Sequence, residues 1–275
     1  MDAYIYDNRI NQLKSFFRKP LTLIVGVMFS LSAIAIISAV IYNFLNSYSF
    51  KSGNIDSTAL TTLFGGLFGG LLNILPAIAF FIFYFKSKKP STDNFFFAPS
   101  NILTVYSIIS IFIYIALSSV LILCLCFMIF LPFVIFLTIF VVAIIAVALS
   151  LIIIYFCSMM LAARSVAKSC KTVYIKKWQM IFFGVMSTII SAVSVIIIGL
   201  ILNNALSSFI SGGLIPEDIL SQLLFWALIL SVFLTNLFLA IWSFSYVRFA
   251  NRTNAGIKYY NSVYCQVSFN SNGSN

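Results

Sequence analysis

ILTVYSIISIFIYIALSSVLILCLCFMIFLPFVIFLTIFVVAIIAVALSLIIIYFCSMMLAA, residues 102–163, runs for 62 residues without one Asp, Glu, Lys or Arg. A helix that crosses the hydrocarbon of a bilayer needs about 20 such residues. Three spans would consume roughly 60 and leave nothing for two turns. Two long spans with a tight turn near Leu131 and Pro132 fit better, because proline disfavours helix in the residue before it. A third span would also carry the most basic connection of the chain to the opposite side.

Working outward, the same rule finds four more uncharged apolar runs. The expected spans lie near 21–44, 63–85, 102–125, 133–162, 178–202 and 220–246, and none contains an ionisable side chain of those four types. The whole chain of 275 residues is 62% hydrophobic and 8% charged. A water-facing surface is usually about a quarter charged, so lipid must be part of this protein's solvent. The expected fold class is an all-α integral membrane protein, a bundle of six transmembrane helices. Residues 1–20 form an N-terminal segment, 21–249 the membrane domain, and 250–275 a flexible tail rich in Asn and Ser. The first apolar run, about 24 residues, is too long for a signal-peptide core of roughly 7 to 15 and is read as a retained helix.

Orientation follows from where Lys and Arg fall. The N-terminal segment holds Arg9, Lys14, Arg18 and Lys19; the second connection Lys86, Lys88 and Lys89; the fourth Arg164, Lys168, Lys171, Lys176 and Lys177; the C-terminal segment Arg248, Arg252 and Lys258. These alternate segments carry 15 of the 16 basic residues, leaving only Lys51 on the other side. The partition predicts both termini in the cytoplasm, with the chain in the cell membrane. It also accounts for the net charge of +10 without a nucleic-acid partner, since the cations are dispersed between spans rather than gathered on one folded domain. Tyr42, Phe44, Tyr48, Trp178, Trp242 and Tyr246 stand at span ends, where amphipathic rings favour the headgroup level.

Two stretches suggest contact with lipid headgroups. Ile10, Leu13, Phe16 and Phe17 recur at helical spacing opposite Arg9, Lys14 and Arg18, as in a short helix lying in the inner interface. Arg164, Lys168 and Lys171 sit at i, i+4 and i+7, a basic stripe for anionic headgroups if the fourth span continues as helix. The tail alternates Val263, Cys265, Val267 and Phe269 with polar residues as a strand would. Its Asn251 to Thr253 and Asn272 to Ser274 triplets match glycosylation acceptors, which a cytoplasmic tail does not expose to the enzyme.

The sharpest motif is GGLFGGLLN, Gly65 to Asn73, with two overlapping G-x-x-x-G pairs: Gly65 with Gly69, and Gly66 with Gly70. Missing side chains let another backbone approach, a main source of helix association in lipid. Gly66, Gly70, Asn73 and Ala77 form a stripe spaced 4, 3, 4, and Asn73 can hydrogen-bond a neighbour. Internal packing is the leading reading; a subunit interface and a broken helix lining a path are the alternatives. Gly184, Ser187, Ser191 and Ser194 make a comparable stripe in the fifth span, and Ser107, Ser110 and Ser118 offer hydroxyls in the third. Such stripes pack helices closely or line a polar pathway.

Chemistry is bounded by what the sequence lacks. Without histidine, with carboxylates only at Asp2, Asp7, Asp56, Asp93, Glu217 and Asp218, and with no phosphate-cradling G-K-S or G-K-T, the chain reads as no enzyme and as binding no cofactor. Cys124 and Cys126 form C-x-C inside an apolar run and read as packing residues rather than metal ligands. Cys157, Cys170 and Cys265 complete no disulfide framework. In plan, six spans with an N-terminal interfacial helix, short outside loops and basic inside loops, the chain resembles the permease subunits of ABC exporters. That resemblance implies a transport component with a separate ATPase docking on the inner loops. The alternative is a non-transporting membrane scaffold or envelope protein.

Overall fold

The computed structural model describes residues 3–47, 57–89, 95–128, 135–172, 174–202 and 219–272. Among them it is all-helical: α1 (Ala3–Phe17), α2 (Pro20–Asn46), α3 (Ser57–Ser87), α4 (Phe97–Met128), α5 (Ile135–Ser169), α6 (Trp178–Leu202) and α7 (Ile219–Asn272). Six of them, α2 to α7, are long and apolar enough to cross a bilayer. The uncharged 62-residue stretch becomes α4 and α5, two spans; the turn expected at Leu131 and Pro132 lies outside the described residues.

Local chemistry sets the boundary between α1 and α2. Pro20 opens α2, and Lys19 before it is extended, with φ −65° and ψ 145°, as the ring of a following proline demands. Pro76 sits inside α3 without ending it, as membrane helices tolerate when neighbours absorb the lost backbone bond.

The spans form a ring in chain order: each packs on the next, and α7 returns to close on α2. An even number of spans brings both ends of the chain to one end of the ring, where α1 touches α3 and α7. The core lies at that end. Beyond Ala33 in α2, Ser110 in α4 and Ser194 in α6, and before Gly70 in α3, Tyr155 in α5 and Thr235 in α7, no described residue is buried. Apolar side chains there remain exposed on the protein, Phe64, Phe112 and Leu223 among them. Hydrocarbon tails solvate such groups as well as another helix does, so nothing forces them inward.

The amphipathic N-terminal segment is helical, but its apolar stripe faces protein. Ile10, Leu13, Phe16 and Phe17 are all buried. Phe17 stacks on Phe83 of α3 at 4.5 Å, and Phe16 meets Tyr246 of α7 edge-on at 5.2 Å. Lys14, placed by its spacing on the polar face, is buried too. It donates to the Lys89 carbonyl at 3.4 Å, and Arg18 donates to the Ser87 carbonyl at 3.1 Å. Lys14 of α1 and Arg18 just after it therefore satisfy carbonyls at the C-terminal end of α3, where the helix dipole favours positive charge.

A second difference lies in the tail. The segment 250–275, read as flexible, continues α7 as helix through Asn272. At 1.5 Å per residue the 54 residues of α7 span about 81 Å, far more than the roughly 30 Å of a hydrocarbon core. No strand forms among the described residues of the tail.

Candidate functional site

The basic end of the ring and the polar helix contacts inside it are the regions where the sequence placed candidate residues. Arg164, Lys168 and Lys171 are all exposed, on or just beyond the last turns of α5, while Ser165 and Ser169 between them are buried. The stripe thus presents one cationic face outward. Lys171 lies 5.0 Å from the Phe97 ring, a cation–π contact that tethers the α5 end to the start of α4.

The connection that follows is held in shape by α7. Asn254 accepts from the Ile175 amide at 2.8 Å and donates to the Ile175 carbonyl at 3.0 Å. Lys177 donates to Asn251 at 2.6 Å, and the Ser169 hydroxyl accepts from the Lys176 amide at 3.2 Å. Ile175 is buried beneath this clasp, while Tyr174 and Trp178 remain exposed beside it. A surface groove of about 580 Å³ is lined by Tyr174, Ile175, Lys176, Lys177, Trp178 and Gln179. Nothing in the sequence of the tail announced Asn251 and Asn254 as its supports.

The two glycine pairs of α3 part company. A β-carbon at Gly66 would clash with Val40 of α2, and one at Gly70 would stand 2.5 Å from Ile37 Cγ1. At Gly65 and Gly69 it would meet nothing within 4 Å. Gly66 and Gly70 therefore lie where α2 crosses α3, and their neighbours point elsewhere. Asn73 accepts from the Tyr106 hydroxyl of α4 at 3.1 Å and donates to the Gly69 carbonyl of its own helix at 3.0 Å. The interhelical bond to Tyr106 is a partner that spacing alone did not name.

Gly184, Ser187, Ser191 and Ser194 of α6 are buried together. Gly184 abuts α7, where an added β-carbon would lie 3.1 Å from Ser243 Cβ. Ser194 bonds back to the Ile190 carbonyl at 2.9 Å. Ser107 and Ser110 are buried in α4, and Ser118 bonds back to the Ile115 carbonyl at 2.7 Å.

At the buried end of the ring the aromatic interior is closely packed. A void of about 10 Å³ is walled by Phe80, Phe83, Leu103, Met159, Phe183 and Trp242, with Phe80 edge-on to Trp242 at 5.2 Å. A space of that size is about one water probe, and apolar walls offer water no partner. The chain matches no protein-family model, no curated protein and no solved structure. Among the described residues no group of three or more metal-ligating side chains assembles. The pair Cys124 and Cys126 lies in α4, within a stretch whose side chains are outside the description.

Proposed function

We propose that this protein is a non-enzymatic, permease-like membrane component of a transport system, with both termini in the cytoplasm of a cell whose surface membrane it spans. The observation that carries this reading is the shared location of the cations. The ends of α1, α3 and α5, the start of α6 and the extension of α7 meet at one end of the ring, and 15 of 16 basic residues belong to those segments. Anionic headgroups of the inner leaflet attract such a face, and translocation of it is disfavoured. The clasped groove at Tyr174 to Gln179, mostly apolar with two lysines, Lys176 and Lys177, at its edge, is the docking place we assign to a separate ATPase subunit.

The test is a photo-crosslinking residue in place of Tyr174, which is exposed on the groove, introduced into the protein in its native membrane. Recovery of a nucleotide-binding protein in the crosslinked product supports the transport reading. Recovery of lipid alone, or of a partner without nucleotide-binding activity, overturns it in favour of a membrane scaffold.

A further inference from the structure

Phe17, the last residue of α1, stacks on Phe83 at 4.5 Å and lies 5.9 Å from Trp242. Both rings are walls of the small apolar void, whose other walls include Leu103 of α4, Met159 of α5 and Phe183 of α6. Residues of five spans, α3 to α7, therefore surround one point, and α1 stands against two of the walls. With Phe16 on Trp242 and Tyr246 of α7, α1 fills the mouth of the ring at its basic end. Toward the opposite end no described residue is buried past the limits given above. The packed layer beside α1 is thus what closes the interior among the described residues.

The attachment of α1 is unlike that of the spans. Its 15 residues reach about 22 Å, too short to cross a hydrocarbon core of roughly 30 Å. Its helix is not continuous with α2, because Lys19 is extended ahead of Pro20. Two side chains, Lys14 and Arg18, tie it to the carbonyls of Lys89 and Ser87. Its apolar stripe also has a second place to go. An amphipathic basic helix is stable on a bilayer surface, and acyl chains solvate Ile10, Leu13 and Phe16 as well as a protein wall does. The two positions differ only by the difference between similar terms, the condition for an element with two populated states.

We propose that α1 is a lid on the basic end of the ring, exchanging between the seated position, where Phe17 closes the floor of the void, and a released position along the adjacent bilayer surface. Arg18 is the catch: it is exposed and outside the aromatic contacts, yet it holds the junction of α1 and α2 to the end of α3. Release uncovers Phe83 and Trp242 and lets water reach the void from the basic end. The lid depends on the ring and not on the transport reading, which the Tyr174 crosslink decides separately.

The experiment follows the full chain in lipid nanodiscs, in a background without other cysteines. Ala163→Cys places a thiol in the wall of the void, and Ser191→Cys, on α6 and equally enclosed, reports general opening of the bundle. Arg18→Ala should speed reaction of a water-soluble thiol reagent at position 163 by about fivefold, the weight of one lost hydrogen bond, and leave position 191 unchanged. Arg18→Lys, which keeps a cationic donor, should stay close to the unmodified rate. Equal acceleration at both positions would mean loss of the fold as a whole, and no acceleration would mean that α1 does not gate the void; either result overturns the proposal. Spin labels at Ser15→Cys and Arg252→Cys, both at exposed sites, read the lid directly. Two α1–α7 distances are expected, the longer growing in Arg18→Ala, whereas one distance unaltered by that substitution would establish α1 as a fixed part of the bundle.

Discussion

Glycine shows most directly how a single position is decided by its neighbour. Gly65, Gly66, Gly69 and Gly70 are chemically identical and lie on two successive turns, yet only Gly66 and Gly70 have a helix pressed against them. Isoleucine at either of these two must push Val40 or Ile37 of α2 aside, and overpacking of this kind costs about 1–3 kcal/mol. Isoleucine at Gly65 or Gly69 changes helix propensity in the same way but meets no atom within 4 Å. Gly66→Ile and Gly70→Ile should therefore be less stable than Gly65→Ile and Gly69→Ile by about that margin. Equilibrium unfolding of the four variants in mixed micelles measures it, and four equal stabilities would mean that α2 does not cross α3 at these residues.

Among the elements, α1 is the one whose role changes most between sequence and structure. A helix with an apolar stripe and a basic face suits a membrane interface, but here the stripe is inserted among Phe83, Phe96, Trp242 and Tyr246. Phe17→Ala removes a fully buried ring and should destabilise the bundle by about 3–5 kcal/mol. Thermal unfolding in nanodiscs made with and without anionic lipid distinguishes the two roles. A loss of stability independent of lipid charge fits a packed helix, while a loss only of membrane attachment would return α1 to the interface. The extension of α7 has a comparable task at the α5–α6 connection. Asn254→Leu removes both hydrogen bonds to Ile175, so limited trypsin digestion should cut after Lys176 and Lys177 several-fold faster than in the unmodified protein. An unchanged cleavage rate would show that the buried Ile175 side chain holds the connection without Asn254.

For the whole molecule the testable quantity is sidedness. In a cysteine-free background, Ser57→Cys at the start of α3 should react with an impermeant thiol reagent from outside intact cells. Lys88→Cys and Tyr174→Cys, exposed at the basic end, should react only after permeabilisation. Labelling of Tyr174→Cys in intact cells would invert the assigned orientation. The core's position at one end of the ring fits the same picture, because α1, Phe95 and Phe96 before α4, and the α7 extension add protein surface at that end, where Phe17, Phe96 and Ile175 are buried.

Lipid as solvent, six spans and one basic side were legible in the sequence because each depends only on how charge and apolar length alternate along the chain. The 62 uncharged residues and the 15-to-1 division of Lys and Arg need no tertiary information. Residues such as Gly184 and Asn73 were visible as packing candidates for the same reason: missing side chains and isolated amides are rare in a span. Their partners were not visible. In water, an apolar face must turn toward protein, and periodicity reveals it; in a bilayer, apolar faces toward lipid and toward protein read alike. Only the tertiary structure therefore decided that Gly66 and Gly70 meet α2 while Gly65 and Gly69 meet nothing, that Tyr106 is the partner of Asn73, and that the stripe of α1 faces aromatic side chains rather than headgroups. It also decided that the tail prolongs α7 and that its Asn254 pairs with the distant Ile175 backbone, a partner that nothing within the Asn- and Ser-rich segment itself names.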